Sequence, residues 1–220
     1  MRTIRDIVEE MQRTAETPEF QARVAQLERE TAEQQAVRAD TERRLYLATS
    51  GIPAKCHPWL DSPQETPAMT AVRKALAQPG QMFLVLSGPA GRGKTAAIAW
   101  GAYSKHGRFA DSATILQAST YDMHLWDDLY RTPVLALDEL GTEYVNEAFR
   151  SNLFALLNRR SENLRPTLIS TNLDGAAFMQ RYASGPMERM ADRLRAGGQW
   201  VNLPGESMRQ HWSETNEQGG

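Results

Sequence analysis

The residues best suited to chemistry are Gly88-Pro89-Ala90-Gly91-Arg92-Gly93-Lys94-Thr95, which meet the spacing G-x-x-x-x-G-K-[ST]. Glycines at these intervals let the backbone curl until successive N–H groups converge on phosphate oxygens. A helix starting at the loop's end adds the positive pole of its dipole. Lys94 then reaches the β- and γ-phosphates as a point charge, and the Thr95 hydroxyl can ligate Mg²⁺. The competing interpretation is a glycine-rich turn that binds nothing. Ordinary residue usage gives a chance match to four fixed positions on the order of 1% in a chain this long. The spacing therefore predicts a nucleotide site, with ATP and Mg²⁺ as its ligands.

A second group lies downstream. Pro133-Val134-Leu135-Ala136-Leu137 runs into Asp138-Glu139-Leu140-Gly141, the pattern of a buried parallel strand that delivers two carboxylates to a ligand crevice. Asp138 would hold Mg²⁺ through its waters, and Glu139 would be the base that orients and polarises the attacking water. Another apolar run, Thr167-Leu168-Ile169-Ser170-Thr171, ends in Asn172. That amide could cap a helix starting at Asp174, or reach the crevice and hold the water beside the γ-phosphate. Cys56-His57 has no second Cys or His pair at ligand spacing, so packing or a surface position is expected there, not a metal.

The elements that must position these residues read as an α/β core. Met82 to Ser87 is a buried strand, and Thr95 to Tyr103 is an alanine-rich helix. Thr114-Ile115-Leu116-Gln117 reads as the second strand and Tyr121 to Tyr130 as a helix. Tyr144 to Leu164 reads as a long helix with Phe149, Leu153, Phe154, Leu156 and Leu157 inward. In Pro186 to Arg195, Met187, Met190, Ala191 and Leu194 form an apolar stripe, which leaves the arginines on polar faces, either merely solvated or aimed at a phosphate. Gln199 to Leu203 is a last strand.

At 220 residues the chain accommodates one such domain with an appendage. Its net charge of −2 argues against coating nucleic acid by bulk electrostatics, although Arg159, Arg160, Arg165 and Arg181 could contact phosphates locally. The single cysteine suggests a reducing compartment. No apolar run approaches a membrane span and the N-terminus is no signal peptide, so no membrane partner is expected and cytoplasm is the expected setting.

Residues 1–50 lack glycine and are dense in Glu, Gln, Arg and Ala. Ile4, Ile7, Val8 and Met11 predict a short amphipathic helix. Pro18 is well placed in the first turn of a second helix, along which Phe20, Val24, Leu27, Thr31, Gln34, Thr41 and Leu45 follow a 4/3 alternation. This arm either packs on its own domain or docks a partner. Residues 51–69 read as a Pro-rich linker, with a helix from Thr70 to Gln78 beyond it. Residues 70–209 are the expected core, and 210–220 a flexible tail.

Gly51-Ile52-Pro53, Gly88 to Thr95, Asp138 to Gly141, Ser170 to Leu173, Asp192-Arg193-Leu194 and Gly205-Glu206-Ser207-Met208-Arg209 occur in the order found in AAA+ ATPases of the DnaC/IstB type, which the sequence resembles over roughly residues 50–209. Those are bacterial and phage helicase loaders and transposition helper ATPases. The resemblance implies a P-loop three-layer α/β sandwich around a five-stranded parallel sheet in the order 5-1-4-3-2, without a C-terminal lid domain. It also implies ATP shared between neighbouring subunits of a homo-oligomer, Asn172 as the first sensor, and Arg189, or next Arg193, as the finger contributed in trans. The family's loaders carry an extra helical insertion between the second and third strands. Here residues 118–132 leave room for one helix.

Three functions fit these residues: an oligomerising ATPase that loads a replicative helicase gripped by residues 1–50; a transposition helper that assembles on DNA and recruits a transposase; and a weakly hydrolysing nucleotide-dependent scaffold. Glu139 speaks against the scaffold, which has no need of a water-activating carboxylate. A small-molecule kinase would need a substrate lid that no insertion is long enough to supply.

Overall fold

Apolar runs bounded by turn residues become the strands of one parallel sheet, covered on both faces by helices. The computed structural model describes residues 15, 17–118, 123–143, 147–182, 194, 197–205 and 207. The helix expected over Ile4 to Met11, the finger candidates Arg189 and Arg193, and the tail lie outside them. The chain divides into two compact units, Met1–Thr49 and Ser50–Gly220.

Helix α1 spans Pro18–Ser50, all but its last residue in the first unit. Pro18 opens it as the sequence predicts, because the first turn has no use for the N–H that proline lacks. The Thr17 hydroxyl accepts from the Phe20 N–H at 3.4 Å. Phe20, Val24 and Leu27 are exposed at 4/3 spacing. Thr31 and Thr41 turn their hydroxyls onto the helix's own carbonyls at Leu27 and Val37.

The second unit opens with a 3-10 helix, Ala54–Trp59, followed by α2 at Pro67–Ala77. The latter starts three residues before the expected Thr70. Thr66 is its cap, its hydroxyl accepting from the Met69 N–H at 3.1 Å, and Pro67 fills the first turn. Then follow β1 (Phe83–Ser87), α3 (Lys94–Tyr103), β2 (Arg108–Asp111), α4 (Ser112–Ala118), α5 (Met123–Arg131), β3 (Leu135–Asp138), α6 (Glu147–Glu162), β4 (Thr167–Thr171), α7 (Gly175–Tyr182) and β5 (Gly198–Asn202). All pairings are parallel, in the order β2-β3-β4-β1-β5, which is the expected 5-1-4-3-2 read from the other edge.

Alternate residues of the central strands face opposite helical layers. Phe83, Val85, Leu135, Leu137 and Ile169 join Phe149, Leu153, Leu156 and Leu157 of α6 and Phe178 of α7 in one core. On the other side α3 lies so close to β4 that a Cβ on Gly101 would meet Leu168 Cδ1 at 2.4 Å and Val72 Cγ1 at 2.8 Å. Burial of these continuous apolar runs on both faces, at about 25 cal/mol per Å², is the main source of stability.

The second strand differs from the sequence reading. Thr114 to Gln117 is helical, part of α4, and the strand is Arg108–Asp111. A four-residue edge strand carrying Arg108 and Asp111 has no apolar run to betray it. Asp111 stops it by accepting the Thr114 N–H at 2.7 Å, an N-cap bond that launches the helix. Among the described residues, two helices, α4 and α5, therefore lie between the second and third strands, not one.

Arg160 is a second correction. It does not face solvent for phosphate contact but is fully buried. Its guanidinium donates to Leu129 O (2.8 Å), Thr132 O (2.9 Å), Pro166 O (2.7 Å) and Thr167 Oγ1 (3.0 Å). It thereby ties the end of α5, the end of α6 and the start of β4 together. Burial, with Arg165 nearby, lowers its pKa to about 9. Arg165 donates to Tyr130 O at 2.7 Å, and the Arg159 guanidinium lies 4.6 Å over the Tyr130 ring.

Candidate functional site

Parallel strands present their C-terminal ends on one side, so β1, β3 and β4 deliver the loops that follow them to a common crevice. After β1, Gly88, Gly91 and Gly93 take φ of 135°, 81° and 75°, conformations that side chains with a Cβ rarely adopt. Gly93 caps α3, so the loop passes directly into a helix N-terminus. At Gly91 an added Cβ would lie 1.9 Å from Ser207 Oγ, and at Gly88 one would lie 2.5 Å from Leu203 O. Leu203 and Ser207, beyond β5, thus lie against the loop and leave room only for glycine at these two positions.

Lys94 opens α3 and is buried, yet its ammonium has three oxygen partners: Gly88 O at 2.6 Å, Pro89 O at 2.8 Å and Asn172 Oδ1 at 2.9 Å. Asn172 follows β4. The alternative role for it, capping the next helix, is filled by Asp174, whose carboxylate accepts the Ala177 N–H at 2.8 Å.

Thr95 Oγ1 donates to Asp138 Oδ1 at 3.1 Å, and Ser170 Oγ donates to the same oxygen in a short bond. Burial raises the Asp138 pKa. The two hydroxyl bonds oppose that shift, and the adjacent Glu139 adds to it. A hydroxyl and a carboxylate brought this close are hard oxygen donors of the kind Mg²⁺ prefers, and the glycine loop with Lys94 has the chemistry of a triphosphate cradle. The donor set fits both groups.

Glu139 is exposed and takes a φ of 57°, a left-handed conformation costly for a residue with a Cβ. Neighbours hold it there. Its N–H donates to Ser170 Oγ at 3.0 Å, its carbonyl accepts from Thr142 Oγ1 at 3.0 Å, and the next N–H, that of Leu140, donates to Ser170 O at 3.0 Å. Sequence reasoning gave Ser170 no role. The available signals were a serine one residue from the end of an apolar strand and its place in the Ser170 to Leu173 stretch shared with the family the sequence resembles.

The structure thus joins Lys94 to Asn172 and Thr95 to Asp138, and ties the backbone of Glu139, next to Asp138, to Ser170 of β4. Among the described residues no cluster of His, Cys, Asp and Glu suggests another metal centre. Cys56 is buried, and the His57 ring pairs with Ile52 O at 3.1 Å.

The fold is that of solved replication proteins. A DnaC helicase loader superposes with a TM-score of 0.51 at 20% identity, covering 66% of this chain and 96% of that one. DnaI gives 0.50 at 23%, covering 67% and 87%. AMPPCP-bound DnaA from Aquifex aeolicus gives 0.56 at 15%, covering 72% and 54%. These likenesses show the fold, the one expected from the resemblance to AAA+ ATPases. No protein-family model matches the sequence, and no curated protein does.

Proposed function

We propose that this chain is an ATP-binding and ATP-hydrolysing AAA+ protein of the DnaC/IstB type that oligomerises and loads a replicative helicase. The observation that carries the reading is the convergence of Lys94, Thr95, Asp138 and Asn172 from three separate elements onto one crevice beside a glycine loop. A structural core has no use for a buried lysine facing backbone carbonyls. A phosphate site does.

Residues Gly88 to Thr95 would cradle the phosphates, with Lys94 exchanging its carbonyl partners for phosphate oxygens. Thr95 and Asp138 would hold the metal. Bound ATP supplies the anhydride to be cleaved, and bound Mg²⁺ neutralises charge on it. Glu139, exposed and held in a fixed backbone conformation, would orient and deprotonate the attacking water, and Asn172 would position that water. Arg189, or next Arg193, would come from the adjoining subunit. The loader assignment draws on the likeness to the DnaC helicase loader, on the two helices between β2 and β3, and on the exposed apolar stripe of α1, which makes the arm a docking element. Cytoplasm is the setting this implies.

Two measurements test it. ATP turnover per subunit should rise with protein concentration, and mixing in Arg189→Ala subunits should depress it. Turnover independent of both would overturn the shared site. With ATP present, the full chain should be retained by a replicative helicase. Retention by a transposase instead would replace the loader role with the transposition one.

A further inference from the structure

Glu143 lies four residues beyond Glu139, and its side chain is 1% exposed, although nothing in the chemistry above uses it. Each oxygen of its carboxylate accepts a hydrogen bond. Oε2 accepts the Gly141 N–H at 2.9 Å, Oε1 accepts the Tyr182 hydroxyl in a short bond, and Arg181 Nε lies 3.7 Å from Oε1. Arg181 also donates to the Glu143 carbonyl oxygen. Tyr182 is itself buried among Phe178 and the core, its pKa raised by that burial and by its bond to Glu143. A buried carboxylate with this many donors is fixed in place, and it fixes whatever it binds.

What it binds is the turn that carries Glu139. That turn contains two residues at positive φ, Glu139 at 57° and Gly141 at 113°. Three elements hold it. From β4, Ser170 takes the Glu139 N–H, and Thr171 Oγ1 donates to Leu140 O at 2.5 Å. From α4, Ser112 Oγ lies 3.3 Å from Thr142 Oγ1, which in turn donates to Glu139 O. From α7, Arg181 and Tyr182 act through Glu143. The first two hold backbone and hydroxyl groups near Glu139, whereas the Gly141 N–H is held by the Glu143 carboxylate. Without that anchor the turn could relax and carry Glu139 out of its strained conformation.

We propose that Glu143 is a positioning residue for hydrolysis: its carboxylate, locked by Tyr182 and Arg181 of α7, holds the Gly141 N–H and so sets the backbone that aims Glu139 at the attacking water. The proposal rests on Glu139 acting as the base. It also makes α7 a lever on catalysis, since a shift of that helix would reach Glu139 through one side chain.

The test is a double-mutant cycle on the full chain, with ATP affinity, KM and kcat measured for each protein. Gln in place of Glu143 keeps the shape but turns an NH₂ toward one of two donors. E143Q should therefore lower kcat about 10-fold or more, as small misplacements of catalytic groups do, with KM and ATP affinity unchanged. In an E139Q background the same substitution should cost nothing further, because there is no base left to aim. Y182F, which removes one hydroxyl and keeps the core packed, should give a smaller fall in kcat of the same kind and carries the test if E143Q fails to fold. The proposal is overturned if folded E143Q or Y182F turns over at the wild-type kcat, if ATP affinity falls in step with kcat, or if E143Q costs as much in the E139Q background as alone. An E139Q protein as fast as wild type would instead remove Glu139 as base, a failure of the underlying reading that this cycle separates from failure at Glu143.

Discussion

Thr95 Oγ1 donates to Asp138 Oδ1 across 3.1 Å, joining the first turn of α3 to the end of β3 through the two residues proposed above to hold a metal. Ser170 donates to that same oxygen. The arrangement holds a carboxylate in a buried place where its charge is poorly solvated, and its pKa is raised for that reason first. The folded chain therefore binds this proton more tightly than the unfolded chain does. The cost of the charge is absent below the ordinary carboxylate range, grows as pH rises through the window up to the raised folded value, and is fully present above it.

Asp138→Asn should accordingly be more stable than wild type at neutral pH without nucleotide, while losing hydrolysis. The amide oxygen can still accept from both hydroxyls, and the charge is gone. Urea unfolding at neutral and acidic pH checks this. The advantage should vanish in acid, and a D138N protein less stable than wild type at neutral pH would contradict it.

Gly91 and Ser207 form a steric pair. A methyl group at residue 91 meets two obstacles, the Ser207 side chain and a backbone φ of 81°. Gly91→Ala should weaken both folding and nucleotide binding, and Ser207→Gly in that background should recover the part due to the clash. The conformational part, about 1 kcal/mol, should remain. Nucleotide titrations of the four proteins decide, and an equal loss with and without the Ser207 side chain would count against the contact.

Arg160 is a structural residue. Arg160→Met would leave the carbonyls of Leu129 and Thr132 without the buried donor that Arg160 supplies, while Pro166 O would keep only the Leu135 N–H. It should cost about 3 kcal/mol or more in urea unfolding, each orphaned buried acceptor being worth roughly 1–3 kcal/mol. A loss below about 0.5 kcal/mol, within the range of ordinary surface substitutions, would contradict this role.

Sequence pattern and structure part company at particular places. The glycine loop, the acidic strand end and strand β4 are legible because each joins a continuous apolar run to a residue type that the chemistry requires. Strand β2 is not, because an edge strand of four residues needs no apolar run, and Thr114, Ile115 and Leu116 together give α4 the look of a strand. Arg160 is illegible for a related reason. An arginine at a helix end normally faces water, and only the fold brings carbonyls from two other segments, the end of α5 and the residue before β4, around it. Ser170 and Glu143 are ordinary residues in sequence. They gain their places beside Glu139 through long-range pairing of β3 with β4 and packing of α7.

The central claim is that Lys94 holds a triphosphate at the turn between β1 and α3. Calorimetric titration of the full chain with a non-hydrolysable ATP analogue and Mg²⁺ tests it most directly. Wild type should bind one nucleotide per chain. Lys94→Ala should remain folded and bind about 10²-fold more weakly or worse, since truncating one partner of a buried charge pair costs about 2–5 kcal/mol. Equal affinities for the two proteins, or no binding by wild type, would contradict the account.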